Sequence, residues 1–82
     1  MKLSPAQRDV LLAIAGGARL KSHRDIDGHK RFRLHAVEGP PRTLRRATVE
    51  SLLRRGLLGS NQKFPAATLW LTESGRRLSS EL

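Results

Sequence analysis

The sequence predicts an α+β fold in the order helix, hairpin, helix, hairpin, helix. Three observations carry that expectation: an N-capped amphipathic opening segment, a switch to two-residue alternation on either side of Asp27-Gly28, and a second helical stripe followed by another alternating run. At 82 residues and 38% hydrophobic content, positions 1–82 form one domain with a single modest core. Such a core leaves little room for an enclosed catalytic cleft.

The first helix opens at Ser4, an N-cap residue, with Pro5 suited to the first helical position and Gln7 three residues on to complete a capping box. Val10, Leu11 and Ile14 then follow helical spacing and predict a core-facing stripe, which Gly16 and Gly17 terminate.

From Ala18 to Val37 the pattern alternates around a turn signal, and face segregation discriminates between the possible registers of the resulting hairpin. Residues directly opposite each other share a face, so only some loop lengths bring the apolar positions together. A two-residue Asp27-Gly28 loop pairs Leu20 with His35 and Ser22 with Arg33, which mixes the faces. A three-residue loop of Ile26, Asp27 and Gly28, with Gly28 left-handed, pairs Ala18 with Ala36, Leu20 with Leu34 and Ser22 with Phe32. The faces then segregate. The opposite face carries Arg19 across from His35, Lys21 across from Arg33 and His23 across from Arg31. Like charges directly opposite on neighbouring strands each cost up to about 1 kcal/mol, so this face predicts an anionic partner. Edge protection by charge is the plainer reading of the same residues.

Glu38, Gly39, Pro40 and Pro41 break the strand as a short connector. A second helix is predicted from about Thr43 to Arg55, with Val49, Leu52 and Leu53 buried and Thr43, Ala47, Ser51 and Arg54 outward. Gly56 ends it, Leu57 and Leu58 start a short strand, and Ser60 to Ala67 form a polar loop with Lys63, Phe64 and Pro65 near its tip. Thr68 to Thr72 return as a strand with Leu69 and Leu71 on one face and Trp70 on the other, Trp70 being expected in the core. Thr72 caps a last helix in which Leu78 and Leu82 are four apart and Arg76 and Arg77 face solvent.

Sixteen Lys and Arg against seven Asp and Glu give a formal charge of +9. That excess opposes compaction by self-repulsion and points to a polyanionic partner. Twelve of the sixteen are Arg, whose planar fork of donors suits phosphate oxygens and base edges. An arginine-biased composition is the bland alternative.

Chemical signatures of other kinds are missing from the pattern. The chain contains no cysteine, which excludes disulfides and thiol chemistry. No apolar run approaches the roughly 20 residues of a membrane span, and Met1 to Lys21 lacks the order of a signal peptide, so a cytoplasmic location is expected. His23, His29 and His35 fall at different points of the hairpin, so no metal site is expected. Asp25 and Asp27 read as turn residues. No serine has a nucleophile-elbow context, and Gly16-Gly17 lacks the residues of a phosphate loop. Neither an enzyme nor a cofactor is expected.

The stretch from Thr48 to Leu58, TVESLLRRGLL, with the polar loop and the run from Leu69 to Arg76, LWLTESGR, resembles the recognition helix, wing and exit of winged helix-turn-helix domains. That resemblance covers about the C-terminal 35 residues and implies a winged-helix-like order α-β-β-α-β-β-α. Leu3-Ser4, Leu11, Ala15, Gly17, Arg19-Leu20, Arg24-Asp25 and Gly28 resemble the small bacterial YjhX-like family, described as toxins of toxin–antitoxin pairs. By the winged-helix resemblance, the second helix would enter a major groove with Arg42, Arg45, Arg46, Ser51, Arg54 and Arg55 at phosphates or bases, and Lys63 on the wing would touch backbone or minor groove.

The leading expectation is a DNA-binding regulator or a toxin–antitoxin or mobile-element protein. The alternative, from another class, is an inhibitor of a nucleic-acid-processing machine, of phage anti-defence or anti-CRISPR type, whose basic face meets an acidic protein. A homodimer through the last helix, with Trp70 or Phe64 exposed, is the third.

Overall fold

Ser4 starts the chain's first element as its neighbours require. Its hydroxyl accepts from the Gln7 amide at 3.1 Å, and Gln7 Oε1 accepts from the Ser4 amide at 2.8 Å, closing the capping box of helix α1 (Pro5–Ala15). The computed structural model describes residues 2–63 and 66–82. Helix α1 ends in a Schellman arrangement, with Gly17 at φ 110°, its amide donating to Ile14 O and the Ala18 amide to Ala13 O.

Strands β1 (Arg19–Arg24) and β2 (Lys30–His35) pair antiparallel in the register expected of a three-residue loop, Arg19 with His35 through Arg24 with Lys30. The Gly28 amide donates to Asp25 O and the Asp25 amide to His29 O, both at 3.0 Å, with Gly28 at φ 82°. A left-handed glycine is what this turn needs.

The stretch expected to begin the second helix is divided differently. Residues 42–44 form strand β3 (Arg42–Leu44), paired with β2 through Phe32–Leu44, Arg33–Thr43 and Leu34–Arg42, and helix α2 (Arg46–Arg54) begins after it. Pro40 and Pro41 feed extended backbone into this segment, and the open edge of β2 offers amides and carbonyls that an extended segment can satisfy. Leu44 thereby reaches the core margin. Helix α2 buries Val49 and Leu52 and closes with Gly56 at φ 73° in a second Schellman arrangement, Gly56 N to Leu53 O and Leu57 N to Leu52 O.

Strands β4 (Leu58–Ser60) and β5 (Ala66–Leu71) follow, with β5 starting two residues earlier than expected from alternation beginning at Thr68. Phe64 and Pro65, expected at the loop tip, lie outside the described residues. Ala67, Leu69 and Leu71 point inward. Trp70 is therefore not a core residue: it is on the other face, 43% exposed, with its indole across Gly59 of the neighbouring strand. Three inward side chains at period two leave the tryptophan no route inside. Helix α3 (Glu73–Ser80) is capped by Thr72, and it buries Gly75 and Ser79, with Leu78 only partly covered and Leu82 40% exposed.

The observed order is thus α-β-β-β-α-β-β-α, with one strand more than expected, in a five-stranded antiparallel sheet ordered β3-β2-β1-β5-β4. Val10, Leu11, Val49 and Leu52 pack from the helices onto Leu20, Phe32, Leu34, Leu69 and Leu71 of the sheet, so the helices cover one face and leave the other open. Among the described residues no helix is long and apolar enough to cross a membrane.

Candidate polyanion-binding face

Period two along β1 and β2 puts the odd-numbered side chains on the face without helices. Three cross-strand rows result: Arg19 with His35, Lys21 with Arg33, and His23 with Arg31. Arg19, His23, Arg31 and Arg33 are exposed, whereas Lys21 and His35 are half-buried among their neighbours. His35 Nε2 is buried and has no hydrogen-bond partner among the described residues.

The flanking strands widen this surface. Thr43 of β3 is opposite Arg33, Thr68 of β5 is opposite Lys21, and Ala66 is opposite His23. Extending the β1–β5 register by one pair puts Trp70 beside Arg19. The half-exposed indole, which lies across Gly59 on the β4 side, adds an aromatic surface at the margin of the basic rows, a combination that suits a base or sugar as well as a phosphate. Alternation in β5 already separated Trp70 from Leu69 and Leu71. Only the pairing of β5 with β1, distant in sequence, joins it to the basic rows.

Among the described residues, the Asp25 carboxylate pairs with a cation of this face. Asp25 Oδ2 is 3.4 Å from Arg31 Nε, and Asp25 Oδ1 accepts from the His29 amide at 2.9 Å and the Asp27 amide at 3.0 Å. The His29 amide is the main cause holding the Asp25 carboxyl below its ordinary range, with Arg31 and the Asp27 amide adding to it against some desolvation. Asp25 organises the turn and anchors Arg31 from one end.

The second expected region is dispersed. Arg42 and Arg45 are exposed on β3 and at the α2 N-cap, where Arg45 makes no side-chain cap. Arg46 is committed to Glu50, Nε to Oε1 at 2.9 Å, in an exposed pair of small energetic consequence. Ser51 does not belong to an outward row. Its hydroxyl accepts from Gln7 Nε2 at 2.8 Å and ties α2 to α1, because the α1 stripe meets α2 along that side. Arg54 is exposed in the last turn, and Arg55 donates to the Lys2 carbonyl at 2.7 Å. Lys63 is exposed, its amide donating to Asn61 Oδ1 at 3.1 Å. The hairpin residues thus form one continuous surface, and the residues from Arg42 to Arg55 do not.

No family model, curated protein or solved structure matches the chain.

Proposed function

We propose that this protein binds a nucleic acid, with duplex DNA the leading substrate, through the open face of its sheet. The observation that carries this reading is the set of three facing basic pairs on the helix-free surface of β1 and β2. Self-repulsion among Arg19, Lys21, Arg31 and Arg33 is relieved when phosphates lie against the strands, and released counterions then drive binding. Thr43, Thr68 and Trp70 extend the same surface with hydroxyls and one aromatic plane. A regulator, or a protein of a toxin–antitoxin or mobile-element locus, is the setting we attach to it.

In a winged-helix reading of the succession α2, β4, β5, α2 would be the reading helix and Lys63 would stand on the wing. Arg55 is engaged by the Lys2 carbonyl and Ser51 by Gln7, and the remaining arginines are divided between β3 and the helix, which favours the sheet over α2 as the contact surface.

A gel-shift salt series with duplex DNA, single strands and RNA tests the proposal. Arg19, Lys21, Arg31 and Arg33 together predict a slope of about −3 to −4 in log K against log salt for duplex DNA. Arg31→Glu with Arg33→Glu abolishes binding at moderate salt, whereas Arg54→Glu with Arg55→Glu weakens it only slightly. A salt-independent complex, or loss confined to the α2 pair, overturns the sheet-face reading. Stoichiometric binding of a purified acidic protein with no shift of any nucleic acid at low salt replaces it with the inhibitor alternative.

A further inference from the structure

The inward face of the hairpin presents a different problem. Alternation sends Leu20, Ser22, Phe32 and Leu34 into the core, and the same face then continues to Arg24 and Lys30, which stand opposite each other on the ladder. Two cations facing each other at inward positions are unfavourable in the same way as those on the open face. Neither is neutralised by the turn carboxylate, since Asp25 bonds the turn amides and Arg31. Arg24 spends one guanidinium nitrogen on Gly28 O at 3.1 Å, and Lys30 Nζ is held 5.7 Å from the centre of the Phe32 ring. Both side chains are positioned, and both keep donors to spare.

These two cations form one wall of a groove of about 640 Å³, and Lys63 contributes a third from the β4–β5 loop. Among the described residues that line it there is no carboxylate. Its volume falls in the range of about 300–1,000 Å³ typical of small-molecule sites. Ser60 and Gln62 add polar groups, while Leu53 and Leu58 supply an apolar wall. The loop is locally constrained: Gln62 has φ 56°, a left-handed conformation rare for a residue with a side chain, secured by its amide donating to Ser60 Oγ at 3.0 Å. Asn61 Oδ1 accepts from the Lys63 and Thr68 amides at 3.1 and 3.2 Å. Such strain persists where surrounding structure enforces it, and it is concentrated at ligand-holding sites.

We infer that this groove is a second anion site, distinct from the open face, that takes an organic phosphate of about mononucleotide size: the phosphate monoester between Arg24, Lys30 and Lys63, the organic part against Leu53 and Leu58. The phosphate belongs to a free nucleotide or to the phosphorylated end of a strand. The inference does not rest on the open-face proposal, because the two surfaces are on opposite sides of the sheet.

Amide shift perturbation by NMR tests it, with 5′-AMP, adenosine and inorganic phosphate as probes at about 50 mM salt, where surface charges are only partly screened. AMP shifts amides of residues 22–24, 30 and 58–63; adenosine leaves them in place, and inorganic phosphate shifts them more weakly than AMP. Arg24→Gln and Lys30→Gln each weaken AMP by about tenfold, with melting temperatures checking that both variants are folded. The Arg31→Glu, Arg33→Glu double variant retains AMP binding, so failure of the open-face reading leaves this one standing. An oligonucleotide gripped more tightly with a 5′ phosphate than with a 5′ hydroxyl, through Arg24 and Lys30, identifies a strand end; AMP binding without that preference identifies a free nucleotide. Equal shifts from adenosine and AMP, AMP shifts confined to the open face, or full AMP affinity in Lys30→Gln overturns the inference.

Discussion

At position 75 only glycine fits. A Cβ there would overlap the carbonyl oxygen of Leu57, the same oxygen that accepts from the Thr72 amide at 3.1 Å. Gly75→Ala therefore pushes α3 off the sheet end and destabilises the fold by about 2–3 kcal/mol, measured by urea denaturation. Asp25 gives a second prediction at this scale. Its folded pKa is depressed from the ordinary 3.8, so its contribution is present above that value and is lost as pH falls through the lower folded value. The amide resonance of His29 should move with a midpoint below 3.8 on acid titration, and Asp25→Asn should lack that transition. A midpoint at or above the ordinary value would mean that the turn bonds do not hold the carboxylate. Both Asp25 and the Ser4–Gln7 cap were legible in the sequence because their partners lie within a few residues. The bond from Gln7 to Ser51 was not, since 44 residues separate the two.

Among the elements, the β1–β2 hairpin was the most legible. Face segregation and one turn glycine were enough to set its register. Strand β3 was missed because its three residues carry no alternation long enough to register, and what makes them a strand is the unpaired edge of β2. Helix α3 depends on Thr72 at both ends of a small bridge: its hydroxyl donates to Gly56 O at 2.5 Å and accepts from the Gly75 amide at 3.1 Å. Thr72→Val keeps the shape and removes both bonds. We expect a loss of about 1–2 kcal/mol and faster amide exchange in α3 than in α1. Unchanged exchange in α3 would show that packing of Gly75 and Ser79 suffices.

For the molecule as a whole, a charge of +9 on 82 residues should make stability depend on ionic strength. Screening shortens the reach of repulsion to about 10 Å at 0.1 M salt, so the melting temperature should rise between low and moderate salt. Arg33→Thr removes the cation between Lys21 and Thr43 and should stabilise by a few tenths to about 1 kcal/mol at low salt, with the gain shrinking as salt is added. No gain at low salt would mean that the basic rows are already relaxed without a ligand. The same substitution weakens nucleic-acid binding under the proposed function, so stability and binding should move in opposite directions.

By itself the sequence determined the α+β class, the capped starts of α1 and α3, the glycine-closed ends of α1 and α2, and which residues of the first hairpin share a face. All of these follow from interactions spanning a few residues or from a strict period of two. Tertiary structure decided which strands are neighbours. It set β5 against β1, which brings Trp70 to the basic rows, and β3 against β2, which shortens the second helix and divides its arginines between strand, cap and helix. It also left both sides of the hairpin accessible, one facing away from the helices and the other opening into the groove beside β4. Periodicity names the residues on a face; only the packed sheet says what stands beside them.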